Sequence, residues 1–222
     1  MSISTNIEKV KKNMEQACKK ANRNFDEITI IGVTKYVTIE QAEQLVESGI
    51  INIGENRTEE MLHKYETIKE KANWHFIGTL QSRKVKDIIQ QITMIHSLDR
   101  LSVARQINNR SERVIDCFVQ VNVSGEETKH GLSPEEVIPF IEDVKQYERV
   151  NIVGLMTMAP HIEDEEELRS VFRKLGHLRD DVKAKQFSHA PCQFLSMGMS
   201  NDYHIAIEEG ATHIRIGSKL FE

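Results

Sequence analysis

Apolar and polar positions alternate along this chain in two rhythms. Short, nearly continuous apolar runs recur at 28–34 (ITIIGVT), 50–53 (IINI), 74–77 (WHFI) and 93–96 (TMIH). Four more follow at 115–122 (IDCFVQVN), 150–156 (VNIVGLM), 193–197 (QFLSM) and 212–216 (THIRI). Runs of that length with so little polar relief predict strands buried on both faces. Between them lie charged segments whose apolar positions follow helical spacing. The clearest is EDEEELRSVFRKLGHLRDDV, where Leu168, Phe172, Leu175, Leu178 and Val182 share a face and acids fill the first turn. No Pro-, Gly- or Ser-rich linker divides the chain.

Strands alternating with helices predict a parallel sheet with helices outside it. Eight such units in 222 residues point to a single (β/α)8 barrel domain over 1–222, with a doubly wound open sheet as the alternative. The eighth run stops so near the end of the sequence that no helix is expected after it. The N-terminal helix is expected to fill that gap in the outer ring.

A barrel places its chemistry at the C-terminal ends of the strands. Those ends carry Lys35, GENR (54–57), GTLQSRK (78–84), HSLD (96–99) and NVSGEETKHGL (122–132). The later ends carry MTMAP (156–160), MGMSND (197–202) and RIGS (215–218). Lys35 follows a core strand, where a lysine is out of place. Its amine, when deprotonated, can attack an aldehyde or ketone to form a Schiff base; the plain alternative is a side chain snorkelling to water.

Two segments suggest a phosphate. Ser200 or Asn201 is positioned to cap a short helix after the seventh strand, and Gly217 and Ser218 follow the eighth. Barrels often hold phosphate between these two loops. Arg215 is flanked by Ile214 and Ile216, so alternation turns it toward the barrel interior. A buried guanidinium needs an acceptor, which Glu55, Asp202 or the ring nitrogen of a ligand could provide.

Composition narrows the classes. Hydrophobic residues make up 39% and charged residues 28%, with a net charge of −5, so nucleic-acid and membrane binding are not expected. Cys18, Cys117 and Cys192 are widely spaced and form no CxxC pair, which suits a reducing cytoplasm and offers no zinc site. Trp74 and Phe76 read as barrel-layer packing, and His161, His177 and His189 have no ligand spacing.

A lysine for an aldehyde, a phosphate cup and a donor for a ring nitrogen together describe pyridoxal 5′-phosphate. The motifs GVTKY, IGENR, WHFIGTLQSRK, HSLDR, QVNVSGEETKHGL, GLMTMAP and LSMGMSNDYHIAIEEGATHIRIGSKLF run nearly the whole length. In them the chain resembles the YggS/PROSC family of pyridoxal phosphate homeostasis proteins, related to the N-terminal barrel of alanine racemase. That resemblance implies a fold-type III barrel without the C-terminal β-domain of the racemases. It implies that Lys35 carries the cofactor as an aldimine and that Arg215 faces the pyridine nitrogen. Ser200, Asn201, Gly217 and Ser218 would then hold the phosphate, while Asn56 and Met199 line the ring.

Binding this cofactor does not by itself make an enzyme. Arg215 can only donate, which keeps the pyridine nitrogen neutral and weakens the ring as an electron sink. The tyrosine that a racemase β-domain supplies has no counterpart here. The expectation is a monomeric cytoplasmic carrier or buffer that serves apo-forms of pyridoxal phosphate enzymes. Lys129 is a candidate second, transient site for the aldehyde. The alternatives are an amino-acid racemase and, without cofactor, a lysine-dependent aldolase acting on a phosphorylated sugar.

Overall fold

The apolar runs form eight strands in the computed structural model, which describes residues 2–126, 130–160 and 164–222. They are β1 (Thr29–Val33), β2 (Asn52–Glu55), β3 (Asn73–Phe76), β4 (Met94–Leu98), β5 (Ile115–Gln120), β6 (Val150–Met156), β7 (Phe194–Met199) and β8 (His213–Ile216). Each pairs in parallel with its sequence neighbours, and β1 pairs with β8 to close the barrel. Outside lie α1 (Ile3–Lys20), α2 (Ile39–Glu47), α3 (Thr58–Ile68), α4 (Val85–Ile88), α5 (Leu101–Arg110), α6 (Pro134–Val144), α7 (Glu165–Ala184), α8 (Tyr203–Glu208) and α9 (Ser218–Phe221).

Local chemistry starts these helices. Thr38 and Gln41 bond reciprocally across the first turn of α2, and Ser133 with Glu136 does the same for α6. Pro134 occupies the first position of α6, where its missing N–H costs nothing. Asp164 caps α7 by accepting from the Glu166 and Glu167 amides, and Leu168, Val171, Phe172, Leu175 and Val182 form its buried face.

One expectation about the ends of the chain needs adjusting. A turn of helix, α9, does follow β8, and its Leu220 carbonyl accepts from Asn6 of α1 at 3.2 Å. α1 packs against α8 and α9, so the N-terminal helix closes the ring as expected. Arg23, just beyond α1, donates to the Ile207 and Ala211 carbonyls at 2.8 and 2.7 Å and ties the same region together.

The strands separate two cores. The larger lies between barrel and helices, and it includes Trp74 and Phe76. Trp74 meets the Tyr65 ring of α3 and donates its indole N–H to the Lys69 carbonyl, so both aromatics belong to the outer layer. The barrel interior is different. Phe118, Val153 and Met156 form a small apolar cluster there, and His75, His96, His213, Ser196 and Arg215 fill much of the remainder.

Register also shifts where a charge pairs at long range. The run at 50–53 moves forward to Asn52–Glu55, with Glu55 completely buried. Its carboxylate meets Lys64 of α3 at 2.7 Å, and both side chains are shielded from water.

Candidate functional site

The C-terminal ends of the strands open onto a cavity of about 920 Å³. All eight residues singled out from the sequence line it. Lys35, Asn56, Met199 and Arg215 are among its walls. Ser200, Asn201, Gly217 and Ser218 contribute from the loops after β7 and β8.

Lys35 lies not at the end of β1 but two residues beyond it, in a turn closed by the Val37 amide donating to the Thr34 carbonyl at 3.2 Å. That placement leaves it half-buried rather than dry. Its Nζ sits 4.8 Å from the centroid of the Tyr36 ring, which is 85% exposed. The turn is anchored from below. The Thr34 hydroxyl donates to Glu55 at 2.6 Å, while Lys64 donates to both the Thr34 carbonyl (2.8 Å) and Glu55 (2.7 Å).

Asn56 follows β2 directly, and its backbone lies against Gly78. A Cβ on Gly78 would come within 2.3 Å of the Asn56 carbonyl oxygen, so only glycine fits there. Gly198 has a comparable duty at φ +91°, where a Cβ would fall 2.5 Å from Ala206. This close seat lets the 199–202 turn fold back over α8.

Within that turn the caps differ from expectation. Neither Ser200 nor Asn201 caps α8; Asp202 holds the cap position. Its carboxylate bends back to accept from the Met199 amide instead. Ser200 Oγ accepts from the Gly217 amide at 3.1 Å, which joins the two loops. Burial raises the Asp202 carboxyl above its usual range, against the Met199 hydrogen bond and the Arg215 charge.

Arg215 faces the interior, as alternation requires, but neither Glu55 nor Asp202 bonds it. Nη1 donates to Ser196 Oγ at 2.6 Å and Nη2 to the Thr157 carbonyl at 2.9 Å. Burial lowers its guanidinium to about 10, partly opposed by the charge of Asp202, so it stays protonated at neutral pH. Two of its five N–H donors are thus committed, and the residue also borders the cavity.

Beneath Arg215 runs a set of groups that the sequence reading passed over. His96 Nδ1 lies 2.8 Å from Ser196 Oγ, and His96 Nε2 lies 2.9 Å from His75 Nδ1. His75 Nε2 is 3.1 Å from Asn52 Oδ1. Since β4 and β7 are not neighbours, the His96–Ser196 bond crosses the lumen. A signal was present in NWHF, MIHSL, FLSMGM and HIRI, each of which carries a polar side chain on the inward face of an apolar strand. Lys64 had a signal too, lying between Met61 and Ile68 on the buried face of α3.

Other candidates contribute nothing here. Among the described residues no group of His, Cys, Asp or Glu could hold a metal ion, and no helix is long and apolar enough to cross a membrane. Lys129 and His161 lie outside the described residues.

Known proteins match this chain over nearly its whole length. The family model for the alanine racemase N-terminal domain matches residues 5–222. A pyridoxal phosphate homeostasis protein of Aquifex aeolicus (strain VF5) is 40% identical, covering 100% of this chain and 98% of that one. An unknown protein from Bifidobacterium adolescentis has a similar structure, with a TM-score of 0.92, 28% identity and coverage of 99% and 94%. PipY of Synechococcus elongatus PCC7942, with PLP bound, gives a TM-score of 0.82 at 25% identity, covering 95% of this chain and 100% of PipY. Matched end to end in sequence and in fold, the chain belongs to the family of the alanine racemase N-terminal domain and, within it, to the pyridoxal phosphate homeostasis proteins.

Proposed function

We propose that this protein binds pyridoxal 5′-phosphate in the rim cavity and acts as a cytoplasmic carrier or buffer of that cofactor. The observation that carries the reading is chemical. One cavity gathers a lysine amine, a guanidinium with uncommitted donors, and hydroxyl and amide groups from two adjoining loops. The residues present fit an aldehyde, a basic ring nitrogen and a phosphate. A phosphorylated sugar would use the lysine and the loops but leave Arg215 without a purpose.

Bound pyridoxal phosphate supplies an aldehyde for reversible capture by an amine and a ring that can draw in electrons. The Lys35 amine attacks the aldehyde carbon, and loss of water leaves a C=N bond. Arg215 donates an N–H to the ring nitrogen and keeps it unprotonated. Ser200, Asn201, Gly217 and Ser218 hold the phosphate, which here rests on hydroxyls and backbone amides more than on cations. Asn56 and Met199 flank the ring. Lys35 lies at the open side, beside the exposed Tyr36, so water and acceptor amines reach it easily. Openness suits loading and release better than carbanion chemistry, which needs a dry site. Delivery to apo-enzymes follows from the same openness, with a single chain as the working unit.

The test is the visible absorption of the purified protein after addition of pyridoxal phosphate and desalting. A yellow band that borohydride shifts, and that is missing in Lys35→Ala, is the expected result. A colourless wild type, or a band that survives in Lys35→Ala, defeats the reading.

One feature favours a second reading, a weak racemase-like enzyme. Tyr36 is the only tyrosine bordering the cavity among the described residues, and it lies beside Lys35. Solvent deuterium exchange at the α-carbon of alanine separates the two readings. Exchange at enzymatic rates, about 1–10³ per second, that is lost in Lys35→Ala supports the enzyme.

A further inference from the structure

The interior hydrogen bonds can be assigned a direction, because one end of the chain has no freedom. Arg215 has five N–H donors and no acceptor, so its Nη1 must give a proton to Ser196 Oγ. The serine hydroxyl carries a single hydrogen. Among the described residues its bonded partners are Arg215, which can only donate, and His96 Nδ1 at 2.8 Å; the hydroxyl hydrogen has only Nδ1 to go to, so Nδ1 accepts. The His96 proton is then on Nε2 and points at His75 Nδ1 at 2.9 Å. In turn His75 carries its proton on Nε2 and donates to Asn52 Oδ1 at 3.1 Å. That oxygen also accepts from Asn73 Nδ2 at 3.0 Å. Every link from Arg215 to Asn52 Oδ1 runs one way.

We propose that Ser196, His96 and His75 are positioning residues: a one-way hydrogen-bond chain, with both imidazoles neutral and protonated on Nε2, holds Arg215 so that its uncommitted N–H groups face the cavity. The chain itself stands on geometry alone, whereas its effect on cofactor binding rests on the pyridoxal phosphate reading above. None of the three residues borders the cavity, so each acts through Arg215.

The surroundings agree with neutral rings. Burial, with a smaller push from His213, lowers His75 to about 3. Burial then His75, His213 and Arg215 hold His96 well below the usual histidine range. Phe118 stacks on His96 with ring centroids 4.5 Å apart, leaving no room for a compensating anion on that face. A proton on His96 Nδ1 would leave the Ser196 hydroxyl hydrogen without an acceptor and, with Nε2 also protonated, set a second cation beside Arg215. The chain therefore disfavours the charged ring.

Two measurements test this. In apo-protein carrying ¹⁵N-labelled histidine, long-range ¹H–¹⁵N correlation reads each tautomer directly. Both His75 and His96 are expected as neutral Nε2–H forms from about pH 5.5 to 9, and Ser196→Ala is expected to release His96 from that tautomer. An Nδ1–H form, or a charged ring near neutral pH, in the wild type overturns the chain whatever the protein binds.

The second measurement compares two ligands, pyridoxal phosphate and a phosphorylated salicylaldehyde with C–H in place of the ring nitrogen. Ser196→Ala should weaken the first about tenfold, the worth of one hydrogen bond, and the second less than about twofold. Ser196→Thr, which keeps the hydroxyl, should restore most of that loss. Equal losses for both ligands would mean the serine matters only for packing, and no loss for either would remove its role. If the wild type binds neither ligand, the cofactor reading falls, and the tautomers alone decide the chain.

Discussion

Removing Lys64 should damage this protein more than any comparable substitution on its outer helices. The Lys64 and Glu55 side chains are 3% and 0% exposed, and their charged atoms are 2.7 Å apart. Glu55 Oε1 takes bonds from Lys64 and Thr34, while Oε2 has no partner at all. Lys64→Met keeps the volume of the stem but strands a carboxylate in the outer core and removes the donor to the Thr34 carbonyl. Breaking one side of a buried pair costs about 3–5 kcal/mol. In a chain of this size that corresponds to a fall in Tm of roughly 6–20 °C. Glu55→Leu combined with Lys64→Met removes both charges and should regain much of the loss, because an apolar pair no longer needs solvation. Urea unfolding followed by far-UV circular dichroism, with an unchanged m-value, gives the free energies of the wild type, Lys64→Met and the double variant. A Lys64→Met cost below about 1 kcal/mol would refute the reasoning, and so would a double variant no better than the single.

Three further outcomes are expected. Burial holds His213 at about 4 (with the Arg215 charge adding to it) and His75 at about 3, below the unfolded value near 6.5, so the unfolded chain binds more protons beneath that pH. Stability should thus rise with pH through the window and drop on acidification from 6.5 to 5, with a slope that steepens toward about 1.4 kcal/mol per unit for each ring; a flat profile of urea midpoints there would deny buried neutral histidines. Gly78→Ala should cost about 1–3 kcal/mol and weaken pyridoxal phosphate binding by moving Asn56, whereas Gly176→Ala, with its nearest neighbour at 3.9 Å, should be neutral or stabilising in thermal melts. Ser200→Ala with Ser218→Ala should reduce affinity for pyridoxal phosphate far more than for unphosphorylated pyridoxal, at about 1.5–3 kcal/mol per charge-assisted bond, and equal losses by calorimetry would release these serines from the phosphate.

The barrel is legible in the sequence because parallel strands covered on both faces have to be apolar throughout, and helices between them have to be amphipathic. The rim is legible for a related reason. A charged residue inside such a strand or just beyond it has few places to go, which is how Arg215 and Lys35 stand out. What escapes is pairing at a distance. Nothing in IINIGENR says that Glu55 continues the strand, since the lysine that makes it tolerable lies a helix turn and more away. Asp202 is as good a capping type as Ser200 and Asn201, so sequence does not choose among the three, and the fold-back at Gly198 is what turns its carboxylate to the Met199 amide. The histidines are the instructive loss. Each looks like an isolated polar interruption until three different strands are brought round a common axis.

Barrel closure also has a consequence for the order in which the molecule is made. The β1–β8 seam joins an early strand to one synthesised much later, and α1 docks on α8 and α9, the helices on either side of β8 in the chain. During translation the amine at Lys35 exists long before the guanidinium at Arg215 or the loops after β7 and β8. A nascent chain therefore has no assembled cavity, and the early strands wait with open edges for partners not yet synthesised. Such long-range closure slows folding and exposes unpaired strand edges to neighbours. Cofactor can reward only the last step, so pyridoxal phosphate in the medium should speed the end of refolding and leave its early phases untouched.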